Sequence, residues 1–255
     1  MVVTMTAAVR TALVTGASRG IGRAVAERLG RNGFVVAVHF REDAAAAKET
    51  MSAVEAAGGQ AFPIQAELGV PGDIDTLFAG LTAGLAEYGG KLNVLVNNAG
   101  IGCKGGVDEI TPEQFDRVFA VNVKAPVFLV QRVLPLMPEG GRIVNVSSLA
   151  SRAAHPQIVG YAMSKGALDV FGRSIAAQLG ARGITVNTVA PGLIDTDFHG
   201  DRFARPEVLA EAEALSVFGR LGQAGDVADV VAFLASDEAR WLTGERIETA
   251  GGTRL

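Results

Sequence analysis

From Thr11 to Thr249, short apolar runs alternate with stretches whose apolar positions recur at helical spacing. Runs such as Asn93-Val94-Leu95-Val96 and Arg142-Ile143-Val144-Asn145-Val146 are nearly continuous, as strands buried on both faces are. Interleaved with helices, they imply a parallel sheet covered by helices on both sides, an α/β fold. Further strands are expected at 11–14, 34–38, 61–66, 184–189 and near 246–249. Helices are expected at 43–57, 73–87 and 112–134, from about Tyr161, around 208–215 and at 226–234. No repeat beyond the βα unit is evident, and no Pro/Ser-rich linker divides the 255 residues, 49% of them apolar. One domain is expected, with its core at about 10–252 and a lid at about 192–222.

The first apolar run ends in Thr15-Gly16-Ala17-Ser18-Arg19-Gly20-Ile21-Gly22, where a helix begins. Glycines there let the backbone come close to a pyrophosphate, and free N–H groups at a helix start favour negative charge. The spacing G-x-x-x-G-x-G is not the common G-x-G-x-x-G, and the turn alone also fits one that holds no nucleotide. An NAD-binding unit usually places Asp or Glu near the end of its second strand, about 20 residues past the glycines. Here that end reads His39-Phe40-Arg41, so Arg19 and Arg41 could fork onto a 2′-phosphate and NADP is favoured over NAD. Arg41 followed by Glu42 and Asp43 also fits a solvated helix N-terminus, and Glu42 could reach a ribose.

Tyr161 and Lys165 lie one helical turn apart, with Ser148 upstream. A cation near a phenol favours the phenolate, so Lys165 is expected to pull Tyr161 below about 10, toward general acid or base work. Taken alone, the pair also fits an ordinary surface contact. Within the 112–134 helix, Pro126 cannot donate to the Asn122 carbonyl four residues back. A kink is expected at Asn122, either as an anchor for a proton-relay water or for packing alone. Small polar residues Asn97-Asn98-Ala99-Gly100 end the fourth strand, where open α/β sheets bind ligands.

The net charge of −4, with no basic run, argues against nucleic acid, and no run of about 18 apolar residues is present to span a bilayer. The opening MVVTMTAAVR lacks the features of a secretory signal and Cys103 is the only cysteine, so a reducing cytoplasm is expected. No metal is called for.

In order and spacing, Thr15-Gly16-x-x-x-Gly20-x-Gly22, Asn97-Asn98-Ala99-Gly100, Asn122, Ser148, Tyr161-x-x-x-Lys165 and Pro191-Gly192 with Thr196 resemble the short-chain dehydrogenase/reductase family. The resemblance implies a single-domain Rossmann fold, a doubly wound seven-stranded parallel sheet of order 3-2-1-4-5-6-7. It also implies an NADP(H)-dependent hydride transfer between nicotinamide and a carbonyl or alcohol. Tyr161 would be the general acid or base. Lys165 would hold the nicotinamide ribose and depress the tyrosine pKa, Ser148 would orient the carbonyl and Asn122 would hold the relay water. Gly16, Ser18, Arg19, Gly20, Ile21 and Gly22 would surround the pyrophosphate and adenosine side, with Arg41 at the 2′-phosphate. Asn98, Ala99 and Gly100 would flank the adenine ribose and the middle of the cofactor, and Pro191, Gly192, Ile194 and Thr196 the nicotinamide end. Two departures stand out: Glu67 where relatives often place an Asp near adenine, and Glu248-Thr249-Ala250-Gly251-Gly252 where an Asp-Gly-Gly ending is common.

Members are commonly tetramers, and a 122–137 helix with more apolar positions than one buried stripe requires agrees. By overall pattern the chain resembles 3-oxoacyl-carrier-protein reductases. It lacks the basic residues an acidic carrier would need, with only Lys124 and Arg132 on that helix and Ala176-Ala177-Gln178-Leu179 without an arginine on the next. Ile158, Val159, Phe198, Phe203 and Phe218 are expected to border an apolar pocket, with His155 facing solvent. The expected substrate is an apolar ketone or aldehyde, with the carrier-linked thioester as alternative. A non-catalytic NADP(H) sensor is the alternative of another class.

Overall fold

The computed structural model describes residues 9–253, apart from the side chain of Arg202; the opening residues 1–8, read above for a signal, lie outside them. The strands are β1 (Thr11–Val14), β2 (Val35–Phe40), β3 (Gln60–Gln65), β4 (Val94–Asn97), β5 (Arg142–Val146), β6 (Thr185–Pro191) and β7 (Arg246–Thr249). All pair in parallel, in the order β3-β2-β1-β4-β5-β6-β7. The doubly wound sheet of the family expectation is therefore present.

The period of two along each strand divides the core between the two faces. Ala12, Val14, Val36, Val38, Val94, Val96 and Val144 point to one side, where they meet α1 (Gly20–Arg31), α2 (Ala44–Ala56) and α8 (Ala224–Leu234). Leu13, Ala37, Leu95 and Ile143 point to the other, against α3 (Asp73–Leu85), α5 (Ala125–Val133) and α6 (Val159–Leu179). Pro63, which cannot donate to a ladder, lies on edge strand β3.

At Asn122, where Pro126 leads to the expectation of a kink, the helix passes through a π turn. After α4 (Pro112–Phe119), residues Ala120–Lys124 form a π-helical segment, and the Ala125 N–H bonds the Ala120 carbonyl five residues back. The wider turn places Pro126, which has no N–H to give, without breaking the helix. The resulting stretch, Pro112–Leu136, is long and apolar enough by length and composition to cross a membrane. In the fold its Val118, Val121, Leu129, Val130 and Val133 are buried. The segment expected as a lid contains a two-residue strand, Ile194–Asp195, paired with Gly222–Gln223, a 3₁₀ segment Asp197–Phe203, and α7 (Pro206–Glu213).

Candidate active site

The site lies at the carboxyl ends of β1, β4, β5 and β6, where an open α/β sheet offers a crevice. The turn after β1 is drawn tight by backbone geometry. Gly16 has φ +64°, and a Cβ on Gly22 would lie 2.2 Å from the Gly16 carbonyl oxygen. Only glycine fits the latter position. α1 then begins with no side-chain cap from its exposed N-cap Arg19 and no acidic residue in its first turn, so its free N–H groups are available to an anion.

Asn98 and Thr15 lock this turn to the end of β4. The Thr15 hydroxyl accepts from the Asn98 and Ala99 N–H groups, both at 3.0 Å. In return, Asn98 Nδ2 donates to the carbonyls of Thr15 (2.8 Å) and Gly16 (3.0 Å). The Asn98 amide thus shapes the turn, and Ala99 and Gly100 follow it at the rim. His39, read above only as the absence of a carboxylate, ties down the other side. Its Nδ1 accepts from the Gly16 N–H at 3.0 Å, and Nε2 pairs with the Ala66 carbonyl at 3.0 Å. Burial holds its pKa down at about 4, so the ring is neutral with its proton on Nε2.

Beyond β2, Arg41 is exposed and held by Glu42, Nε to Oε1 at 3.0 Å and Nη2 to Oε2 at 3.2 Å. The two alternatives raised by the sequence are thus partners in one ion pair. Glu67 pairs with Arg117 of α4 at 2.6 Å, and Arg117 also donates to the carbonyls of Leu68 and Gly69. Across the crevice, Thr196 approaches the glycine turn: a Cβ on Gly20 would sit 3.5 Å from its methyl group. Pro191 ends β6, Gly192 donates to the Thr249 carbonyl at 3.2 Å, and Ile194 turns its side chain into the core.

Four expected residues, Asn122, Ser148, Tyr161 and Lys165, converge. The π turn carries Asn122, which is buried and reciprocally bonded to the Ile101 backbone, accepting from its N–H and donating to its carbonyl, both at 2.9 Å. Its Nδ2 also donates to Ser164 Oγ at 3.0 Å, and that hydroxyl donates to the Tyr161 carbonyl at 2.7 Å. Asn122 therefore anchors the first turn of α6 as well as the loop after β4. Lys165, buried, donates to the Val146 carbonyl at 2.8 Å and lies 5.8 Å from the Tyr161 ring centre. A Cβ on Gly100 would lie 3.3 Å from both Lys165 Nζ and Asn122 Oδ1, so this glycine keeps the floor of the crevice open.

Ser148 hydrogen-bonds the Tyr161 phenol and draws its pKa down, but burial has the larger effect and sets it above the usual 10. The expectation that Lys165 depresses Tyr161 is not met in this arrangement. The ammonium is turned to the Val146 carbonyl, and burial lowers its own pKa to about 8 while the charge of Asp169 pulls it up. Over the phenol lies Phe198, 52% exposed, with its ring centre 5.9 Å from that of Tyr161. Phe198, His199 and Phe203 form a run of contacting rings. Ile158, Val159 and His155 are half-buried, so His155 does not simply face solvent, and Phe218 lies near Gly251.

Residues 16–254 match the family described as enoyl-(acyl carrier protein) reductase, which is of short-chain dehydrogenase type. The chain belongs to the short-chain dehydrogenase/reductase family. Its fold is similar to that of the angucycline C-6 ketoreductase LanV with bound NADP, with a TM-score of 0.92 and 54% identity over 96% of this chain and 95% of that one. LugOII, a promiscuous reductase catalysing keto-reduction at C1 during lugdunomycin biosynthesis, matches with a TM-score of 0.92 and 52% identity over 96% and 98%. Versicolorin reductase 1 of Aspergillus parasiticus is 41% identical, over 95% of each chain. The residues present fit the dinucleotide of this family. The uncapped α1 N-terminus offers free N–H groups to the pyrophosphate, the tight packing at Gly22 brings that N-terminus against the turn after β1, and a Cβ on Gly100 would crowd Lys165 and Asn122 on the floor of the crevice.

Thr15, His39 and Ser164 hold the site together without being marked as site residues in the sequence. Thr15 was legible in the glycine motif. His39 and Ser164 act through bonds to backbone groups distant in sequence, for which spacing carries no signal.

Proposed function

We propose that this chain is an NADPH-dependent ketoreductase whose substrate is a fused-ring aromatic ketone. The observation that carries this reading is the exposed Phe198 ring set over the Tyr161 phenol, which offers a flat apolar wall to a planar substrate at the proton donor. The similar protein LanV is an angucycline C-6 ketoreductase, and another relative is a versicolorin reductase. Bound NADPH would supply the hydride. Gly16 through Gly22 and the α1 N-terminus would hold its pyrophosphate, Arg19 and Arg41 the 2′-phosphate, and Lys165 the nicotinamide ribose.

Tyr161 gives its phenolic proton to the carbonyl oxygen as that oxygen gains charge, and Ser148 donates a hydrogen bond to the same oxygen. A phenol held above its usual pKa is protonated at neutral pH, which suits reduction over oxidation. The apolar ketone expected from sequence narrows to an aromatic one. The test compares kcat/KM, with NADPH, for an angucycline ketone and for a carrier-linked 3-oxoacyl thioester. A preference for the ketone supports the reading. A hundredfold preference for the carrier form, lost at high salt, overturns it.

A further inference from the structure

Beneath Ser148 lies a buried ion pair that the chemistry above does not use. Arg246 on β7 and Asp169 on α6 have side chains 6% and 8% exposed, with Nε 3.0 Å from Oδ2. Nη2 of Arg246 donates to the carbonyl of Ser148 and to Ser151 Oγ, both at 3.1 Å, and Nη1 meets Glu248. The Ser151 hydroxyl donates to Asp169 Oδ2 at 2.6 Å, and the Ser151 N–H returns to the Ser148 carbonyl at 3.2 Å. Both polar contacts to Asp169 fall on Oδ2, and Oδ1 has no partner among the described residues. Its charge is therefore only partly compensated, one helical turn from Lys165, whose ammonium it favours.

Fold stability does not account for this arrangement. A buried ion pair is commonly no more stable than apolar residues of the same volume. What the pair adds is reach: one guanidinium fixes the backbone that presents Ser148, and one carboxylate lies a helical turn from the lysine that attends Tyr161. We infer that Asp169 and Arg246 are positioning residues, Arg246 holding Ser148 in line with Tyr161 and Asp169 setting its negative charge against Lys165. This rests on reading Ser148, Tyr161 and Lys165 as the reaction centre. The charged and titratable groups around Lys165 and Asp169 are Tyr161 on α6, Arg246 and Glu248 on β7, with the Ser148 and Ser151 hydroxyls after β5 and the Asn122 amide beside the ammonium.

The test uses Arg246→Lys, Asp169→Asn and the double variant Asp169→Leu/Arg246→Met, which removes both charges together and so preserves the fold if either single change does not. Arg246→Lys should lower kcat about tenfold, the equivalent of one well-aligned hydrogen bond, while NADPH Kd stays within about twofold. It should also speed hydrogen exchange in residues 148–152 and leave the pH profile in place. Asp169→Asn should move the alkaline limb of kcat/KM to lower pH, because Lys165 then loses its proton sooner. The double variant should show both effects in a folded protein. A folded Arg246→Lys variant with wild-type kcat and wild-type exchange at 148–152, or a folded double variant with the wild-type pH profile, would overturn the inference. If the wild type reduces no ketone, the functional reading fails separately. Faster exchange at 148–152 in Arg246→Lys then still supports the clamp, and unchanged exchange overturns it.

Discussion

His39 is expected to make this protein lose stability in mild acid, by an amount its environment fixes. In the unfolded chain its imidazole titrates at about 6.5, whereas in the folded protein burial lowers that value to about 4. Below about pH 6.5 the unfolded state therefore takes up a proton that the folded state refuses, and stability falls as pH falls until the folded ring also titrates. Linkage between those two values gives a loss of about 2 kcal/mol at pH 5 and about 3 kcal/mol once pH 4 is passed. In a chain of this size, 2 kcal/mol is about 4–8 °C in Tm.

Other groups titrate over the same range, so the measurement is a difference. Thermal unfolding of the wild type and of His39→Asn is followed from pH 7 to pH 4.5. The asparagine Oδ1 stands near the place of Nδ1 and can accept from the Gly16 N–H, and the amide takes up no proton. The wild type should lose the additional 4–8 °C by about pH 5 relative to the variant. Across that interval the folded ring stays neutral and keeps Gly16 in the phosphate turn, so NADPH affinity should fall on its account only as pH approaches 4, where protonation of Nδ1 removes the acceptor. Parallel Tm curves for the two proteins would refute the reasoning, since they would show that the ring is not held neutral by its site.

Tyr161→Phe should lower kcat by about 10²–10⁴ and leave NADPH Kd nearly unchanged, measured by steady-state kinetics and fluorescence titration; near wild-type kcat would sink the proton-donor role. Arg41→Ala should weaken NADPH about ten- to a hundredfold and NADH hardly at all. Because Glu42 competes for the same guanidinium, Glu42→Gln should tighten NADPH, and equal NADPH and NADH affinity in the wild type would dismiss Arg41 as a phosphate reader. Exposed Phe128 on α5 with Met163 and Val170 on α6 suit contact between copies, and light scattering at micromolar concentration should give four times the 26.3 kDa chain mass. A monomeric mass would contradict that assembly.

The strands, the Tyr161 and Lys165 pair and the glycine turn were legible in local pattern, from apolar runs, helical spacing and glycine spacing, whereas the sheet order and the convergence of Asn122, Ser148, Tyr161 and Lys165 followed from the resemblance to the family. Pro126 marked the irregularity at Asn122 correctly. Its form did not follow, because a proline's missing N–H can be met in more than one way, and here it is met by a π turn whose Val121 joins Ala125 and Leu129 in the core. The electrostatics were less legible. A tyrosine and a lysine at i and i+4 suggest a lowered phenol pKa, yet the sign at Tyr161 is set by burial and by the Val146 carbonyl that takes the ammonium. Neither is visible in spacing.

Asn122 shows how that distinction bears on mechanism. The sequence suggested that Pro126 frees a carbonyl at Asn122 for a relay water, and the family gives the residue that task. Here both Nδ2 hydrogens of the side-chain amide go to the Ile101 carbonyl and Ser164 Oγ, while Oδ1 accepts one bond, from Ile101. The backbone carbonyl, to which Pro126 offers no N–H, is an acceptor for a water beside the second lone pair of Oδ1. The side chain performs a different task, joining the loop after β4 to Ser164 and through it to the Tyr161 carbonyl. The two can be separated. Replacing the amide disturbs the seat of Tyr161, while replacing Pro126 by alanine restores an N–H that competes for the carbonyl and leaves the amide contacts in place.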